Sequence, residues 1–190
     1  MKLRESGMPD EVFWETLLDV KLILDRLGID DTLRDVVELG CGYGTFTLPV
    51  ARRIGGTLTT LDIEPDMAAR TTRRARDAGL SNVVCMVADV GADGFGVAPE
   101  SQDGCLLFNI LHCEEPVRLL AEGARTVRPG GSVFVIHWRF DATTPRGPSM
   151  AIRPKPENIL EWAEQMGLLT NSSGVLDLPP WHYGIRFTRT

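Results

Sequence analysis

The sequence predicts an α/β protein: a three-layer α-β-α sandwich around a seven-stranded, mostly parallel sheet whose last strand runs antiparallel. Three observations carry this. Short β-branched runs alternate with helical periodicity between residues 35 and 137, the mark of βαβ units. The later strand candidates are apolar throughout, as in a sheet covered on both faces. A glycine-rich turn, Gly40-Cys41-Gly42-Tyr43-Gly44, directly follows the first strand candidate.

The elements follow in order. Phe13, Leu17, Val20, Leu24 and Leu27 recur at three and four residues, so residues 10–27 are expected to form one amphipathic helix, capped by Asp10 and closed by Gly28. Asp35 to Leu39 reads as the first strand and Thr45 to Ile54 as a helix, with Pro49 near its first turn. Thr57 to Ile63 is the second strand, Pro65 to Ala78 a helix, and Asn82 to Ala88 the third strand. Residues 91–102 are rich in Gly, Asp and Pro and fit a short helix or a loop equally poorly. Asp103 to Ile110 holds the fourth strand, Glu115 to Val127 a helix, Arg128-Pro129-Gly130-Gly131 a turn, and Ser132 to His137 a fifth strand. Four prolines between Asp141 and Pro156 indicate a loop. Glu157 to Met166 is the last helix, and Val175 to Leu178 and Tyr183 to Thr188 are two closing strands.

The chain of 190 residues is expected to be a single domain, 1–190: an N-terminal helix at 10–27, a half built on the glycine turn at 34–112, and a second half at 113–190. The formal net charge of -6 argues against nucleic acid as a partner. Arg70, Arg73, Arg74 and Arg76 bunch at helical spacing and read as a solvated helix face. The four cysteines, Cys41, Cys85, Cys105 and Cys113, form no C-x-x-C pair and are expected to be reduced, cytoplasmic thiols. Met1 to Asp10 carries no apolar core of a leader peptide, and no run approaches the roughly 20 apolar residues of a membrane span. A homodimer is left open.

The glycine turn is the candidate site. In an open parallel sheet, ligands bind beyond the carboxyl ends of the strands. Glycines let the backbone turn sharply and approach a ligand closely. Dinucleotide enzymes use G-x-G-x-x-G here. In this sequence the third glycine comes one residue early and Thr45 stands where that pattern wants Gly. Glu38 precedes the turn. A carboxylate there would repel a pyrophosphate and suit a cation bearing an amino group and a sulfonium.

The run Glu38-Leu39-Gly40-Cys41-Gly42-Tyr43-Gly44 resembles the first motif of class I S-adenosylmethionine-dependent methyltransferases. Asp62 is similar to the family's acid at the end of the second strand, which binds both ribose hydroxyls. Asp89, in Val87-Ala88-Asp89-Val90, is similar to the acid that meets the adenine amino group. Asp103 to Pro116 resembles the fourth motif, and Arg128 to Gly131 the turn before strand five. The resemblance covers residues 34–140. It implies methyl transfer from S-adenosyl-L-methionine to a small molecule, with Glu38, Gly40, Cys41, Gly42, Asp62, Ile63, Asp89, Val90 and Asn109 holding the cofactor. It makes 34–112 the cofactor half and 113–190 the substrate-side half.

The implied reaction is a displacement at the methyl carbon, in which alignment does most of the work and a weakly acidic acceptor would want a base. His112 and His137, at the carboxyl ends of strands four and five, are the candidate catalytic residues. Each is equally readable as a polar lining or core histidine. The Asn-Pro-Pro-Tyr tetrapeptide of enzymes that methylate amino groups of bases and amides is absent; Asn109-Ile110-Leu111-His112 stands there. Consecutive His112-Cys113-Glu114-Glu115 side chains cannot all face one ion, so no metal site is expected. Phe13, Trp14, the loop from His137 to Arg153 and Trp181-His182-Tyr183 are candidate pocket walls, with Trp138 and Trp181 among them. Arg139, Arg146 and Arg153 are candidate anchors for an anionic acceptor. Three alternatives stay open: a protein methyltransferase, a nicotinamide-dependent reductase, and a catalytically silent cofactor-binding partner.

Overall fold

The computed structural model describes residues 9–190. Residues 1–8, which hold most of the Met1–Asp10 stretch where no leader is expected, lie outside the described residues. In chain order the elements are α1 (Glu11–Thr16), α2 (Val20–Leu27), β1 (Val36–Leu39), α3 (Thr47–Arg53), β2 (Leu58–Asp62), α4 (Pro65–Asp77) and β3 (Val83–Val87). Then come α5 (Val90–Asp93), β4 (Gln102–Phe108), α6 (Pro116–Thr126), β5 (Val127–Trp138), α7 (Pro156–Met166), β6 (Leu169–Leu178) and β7 (His182–Arg189).

The strands form one seven-stranded sheet in the order β3-β2-β1-β4-β5-β7-β6. Parallel pairing joins β1 to β2 and β4, β2 to β3, and β4 to β5. Only β7 is reversed, running antiparallel to both β5 and β6. This is the expected sandwich. The order reverses between β1 and β4, so the carboxyl ends of β1, β2 and β4 open onto one crevice.

Alternation along the strands builds two cores. Cys105, Leu107, Val133 and Val135 face one layer, under α6 and α7. Leu106, Phe134, Ile136 and Trp138 face the other, under α2 and α3. Because both faces are covered, β4 and the part of β5 from Ser132 onward are almost wholly buried, which is why they read as largely apolar runs. The edge strand β3 leaves Val84, Met86 and Val87 exposed. None of the described helices is long and apolar enough to cross a membrane.

Three expectations need correction. Residues 10–27 form two helices rather than one. Leu17 closes α1, and the Asp19 carboxylate accepts the Leu22 N–H at 3.0 Å to start α2. Asp19 occupies a polar position of the stripe, so the periodicity alone cannot reveal that it caps a helix. The turn at Arg128 to Gly131 lies inside β5 as an irregularity: Val127 already pairs with Gln102, and the register shifts before Gly104 pairs with Ser132. Strand β6 begins at Leu169 rather than Val175. Its first half, Thr170-Asn171-Ser172-Ser173-Gly174, is polar and exposed, so sheet pairing with β7 overrides its weak strand propensity.

Asp103 ties the amino ends of the strands together. Its Oδ2 accepts the N–H groups of Arg34 at 2.7 Å and Asp35 at 3.0 Å, and its other oxygen pairs with Arg128. Hydrogen bonds to a charged acceptor contribute about 1.5–3 kcal/mol each. Asp103→Ala is therefore expected to cost about 2–3 kcal/mol and to lower the melting temperature by about 4–12 °C. Thermal denaturation by circular dichroism checks this, and an unchanged midpoint would refute the assignment.

Candidate active site

The site grows from the end of β1. Gly40, Gly42 and Gly44 all have positive φ (82°, 49° and 79°), a backbone region that L side chains avoid. At Gly44 a Cβ would also meet Leu48 Cδ1 at 2.7 Å, so the turn can seat against α3 only with glycine there. At Gly40 a Cβ would meet nothing within 4 Å. That open space faces the crevice, where a ligand can lie against the bare backbone.

Asp62, at the end of β2 and 8% exposed, holds this turn. Its Oδ2 accepts the Gly42 N–H at 2.9 Å and the Cys41 thiol at 3.5 Å; its Oδ1 accepts the Glu64 N–H at 3.0 Å. Burial pushes the Cys41 thiol well above its usual range, with Asp62 adding to the effect, so Cys41 stays protonated and donates. Four further bonds pin the loop: Gly40 N–H to the Leu61 carbonyl at 2.7 Å, Thr71 hydroxyl to the Gly42 carbonyl at 3.0 Å, Arg74 to the Tyr43 carbonyl at 2.6 Å, and Tyr43 hydroxyl to the Pro9 carbonyl at 2.9 Å.

Glu38 lies beneath the turn, 2% exposed. It accepts a hydrogen bond from Thr47 Oγ1 at 2.6 Å. Burial pushes its carboxyl up to about 7, despite the opposing Thr47 hydrogen bond, with the Asp62 charge raising it further. Asp89 caps α5, accepting from the N–H groups of Gly91 at 3.1 Å and Ala92 at 3.3 Å. Asn109 ends β4 at φ 56°, an uncommon value for a side-chain-bearing residue. Its backbone N–H donates to Ile136, while its amide oxygen and nitrogen and the Thr45 hydroxyl have no partner among the described residues.

These groups share one cavity. Glu38, Gly40, Cys41, Gly42, Asp62, Ile63, Asp89, Val90 and Asn109 all line it, as does His112. His137 does not line it. Lying on β5 and 0% exposed, it sits behind His112 with ring centroids 5.5 Å apart. Burial, followed by repulsion from His112, holds His137 well below its usual range, so it stays neutral. The run after His112 divides: His112 and Cys113 are buried, Glu114 and Glu115 exposed. No group of three or more His, Cys, Asp or Glu side chains suited to a metal ion occurs among the described residues.

The other walls are only partly those expected. Trp14 and Trp138 line the cavity, but Phe13 does not and Trp181 packs into the core under α2. His182 and Tyr183 are buried in β7. Of the three candidate arginines only Arg146 reaches the wall. Arg139 pairs with Asp177, and the Arg153 guanidinium is spent on loop carbonyls. Arg70 and Arg74 are not merely solvated, since both pair with Glu11 and fix α1 beside the glycine turn. Sequence reasoning missed Thr47, Thr45, Phe46 and Phe108. The signal for Thr47 is a hydroxyl residue at the start of the helix that follows the glycines.

Known proteins fit this geometry. The family described as "Methyltransferase domain" matches residues 36–131, from the start of β1 into β5. Aklanonic acid methyltransferase DauC of Streptomyces sp. strain C5 is 28% identical over 113 residues, 57% of this chain and 50% of that protein. The 23S rRNA (uracil(1939)-C(5))-methyltransferase RlmD of Methylococcus capsulatus is 46% identical over 79 residues, 37% of this chain and 18% of that protein. The chain thus spans half or less of the length of these curated relatives. A crystal structure of a SAM-dependent methyltransferase from Aquifex aeolicus superposes with a TM-score of 0.82 at 18% identity, covering 95% of this chain and 94% of that one. The chain belongs to the methyltransferase-domain family and has the class I fold of its S-adenosylmethionine-dependent members.

Proposed function

We propose that this protein transfers a methyl group from S-adenosyl-L-methionine to a small-molecule acceptor. The observation that carries the reading is the convergence of Glu38, the bare Gly40 backbone, Asp62, Asp89 and the unsatisfied Asn109 amide on one cavity. When bound, the cofactor supplies an electrophilic methyl group on a sulfonium. The chain's residues do the rest. The Asp62 carboxylate has lone pairs beyond the two it gives to backbone N–H groups, and these accept the ribose hydroxyls. Asp89 and Val90 receive the adenine. Glu38 and Asn109 face the amino-acid end, and Asn109's two idle polar atoms gain partners there.

His112 is the base we assign to an acceptor that must lose a proton. It sits on the cavity wall past the end of β4. His137, neutral behind it, keeps that face free of a second positive charge and acts as a positioning residue. A small acceptor is supported by the pocket's aromatic walls and by the chain's acidity. The rRNA enzyme matches over only 18% of its own length, which carries no inference about RNA as substrate. Free cysteines, three of them buried, support a reducing cytoplasmic setting. The exposed apolar edge of β3 is compatible with pairing of two copies.

Calorimetry tests the cofactor half of the reading. Wild-type protein is expected to bind S-adenosylhomocysteine at micromolar concentration, and Asp62→Ala to bind about 100-fold more weakly or worse, from the loss of two charge-assisted hydrogen bonds. His112→Gln should stay within about threefold of wild type. Absence of heat and of any melting shift at millimolar ligand would sink the reading.

Glu38 adds a pH signature. Its folded pKa, about 7, lies above its ordinary value of 4.5. The folded state therefore holds a proton that the unfolded chain has already lost. Stability from this group is full below pH 4.5 and is lost as pH rises through 7. The ligand's ammonium group favours the ionised carboxylate. Buried His137 and His182, held below their usual range, act in the opposite sense, so the Glu38 contribution is read against Glu38→Gln: relative to that variant, ligand-free wild type is expected to lose melting temperature from mildly acidic to mildly basic pH, whereas its S-adenosylhomocysteine affinity rises over the same interval. The rise in affinity flattens in Glu38→Gln. A wild-type affinity that does not change with pH would contradict the assigned contact.

A further inference from the structure

Beyond the cofactor groups, the cavity has a second half with a chemistry of its own. Its walls are two aromatic pairs. Phe46 and Phe108 meet edge to face with centroids 4.9 Å apart, and Trp14 and Trp138 do so at 6.3 Å. The same wall includes Arg146 and Gly147. Among the described residues no other arginine and no lysine lines the cavity, and the acids that do, Glu38, Asp62 and Asp89, belong to the cofactor side.

Arg146 is held there by a built support. The segment from Arg139 to Pro148 wraps around the Arg153 side chain, which is 7% exposed. That guanidinium donates to the carbonyls of Arg139 at 3.0 Å, Asp141 at 3.1 Å, Arg146 at 3.3 Å and Pro148 at 2.8 Å, and to the Thr144 hydroxyl at 2.6 Å. The next residue, Gly147, has φ 116°, and a Cβ there would meet Arg153 Nη2 at 2.7 Å and Trp138 Cγ at 2.9 Å. The loop is clamped between a buried cation and an indole. The backbone that carries Arg146 is thus fixed, and its side chain lies on the cavity wall, so the guanidinium is presented to the cavity from a rigid loop.

We propose that the acceptor is a small organic anion, an aromatic-sized apolar body carrying a carboxylate or phosphate, with Arg146 as the specificity-determining residue. The apolar body lies between the four aromatic side chains and its anionic group meets the Arg146 guanidinium. Arg153 is a positioning residue that fixes the loop. The inference rests on the methyl-transfer reading, because it assumes that the cofactor fills the other half of the cavity.

The test uses three probes that share a frame: naphthoate, naphthyl phosphate and the neutral naphthamide. Binding is read from quenching of tryptophan fluorescence in protein saturated with S-adenosylhomocysteine. At least one anion should bind the wild type about tenfold or more tightly than the amide, and the preferred anion distinguishes carboxylate from phosphate recognition. In Arg146→Gln the gap should shrink below about threefold; in Arg146→Lys most of it should survive. S-adenosylhomocysteine affinity should be unchanged in both variants. Equal binding of amide and anions, no anion binding at millimolar concentration, or a gap that survives Arg146→Gln overturns the inference. Failure of wild type to bind S-adenosylhomocysteine, measured first, overturns the methyl-transfer reading instead.

Discussion

The Asp62 carboxylate bridging to the Gly42 N–H, at 2.9 Å, is the contact on which the site depends. It joins the end of β2 to the middle of a turn that leaves β1, so these two neighbouring strands present their ends at a fixed separation. The turn itself has three residues at positive φ and no regular hydrogen-bond ladder to hold it. Without an acceptor at position 62 it would have only the carbonyl bonds at its margins. The same carboxylate faces the cavity. One side chain therefore sets the loop and offers the ligand its acceptor.

The walls of the pocket that do not come from strand ends are fastened by arginines. Glu11 pairs with Arg70 and Arg74, bringing α1 and with it Trp14 over the glycine turn. Arg153 gathers the loop after β5. The first joins segments far apart in the chain, and the second gathers a single loop. Both rely on the planar guanidinium, whose five donors can satisfy several carbonyl or carboxylate oxygens at once. The sheet provides the floor and the groups we assign to the cofactor, and the arginine-held segments form the walls we assign to the acceptor.

What the sequence reveals divides along the same line. The sheet is legible because β4 and β5 are buried on both faces and read as apolar runs, and because each helix between the parallel strands is bounded by glycine or proline. The proposed cofactor wall is legible because Glu38, the glycines, Asp62 and Asp89 lie at or just past strand ends, where chain position and spatial position coincide. The acceptor wall is not. Arg139, Arg146 and Arg153 are the same residue type in one proline-rich loop, and only the fold decides that one reaches the cavity while the others serve the backbone. His112 lies in the turn past the end of β4 and reaches the cavity wall, whereas His137 sits within β5 and is buried behind it. The split of the N-terminal helix escaped periodicity because Asp19 is as suitable on a polar helix face as at a cap.

The central claim is that this glycine turn and its acids cradle one nucleoside ligand in a defined direction. A crystal structure of the protein soaked with S-adenosylhomocysteine tests it most directly. The ribose hydroxyls are expected on Asp62, the adenine beside Asp89 and Val90, the amino group toward Glu38, and the sulfur toward His112. Ligand density reversed end for end, or lying outside this cavity while Asp62 and Asn109 gain no partners, would contradict it.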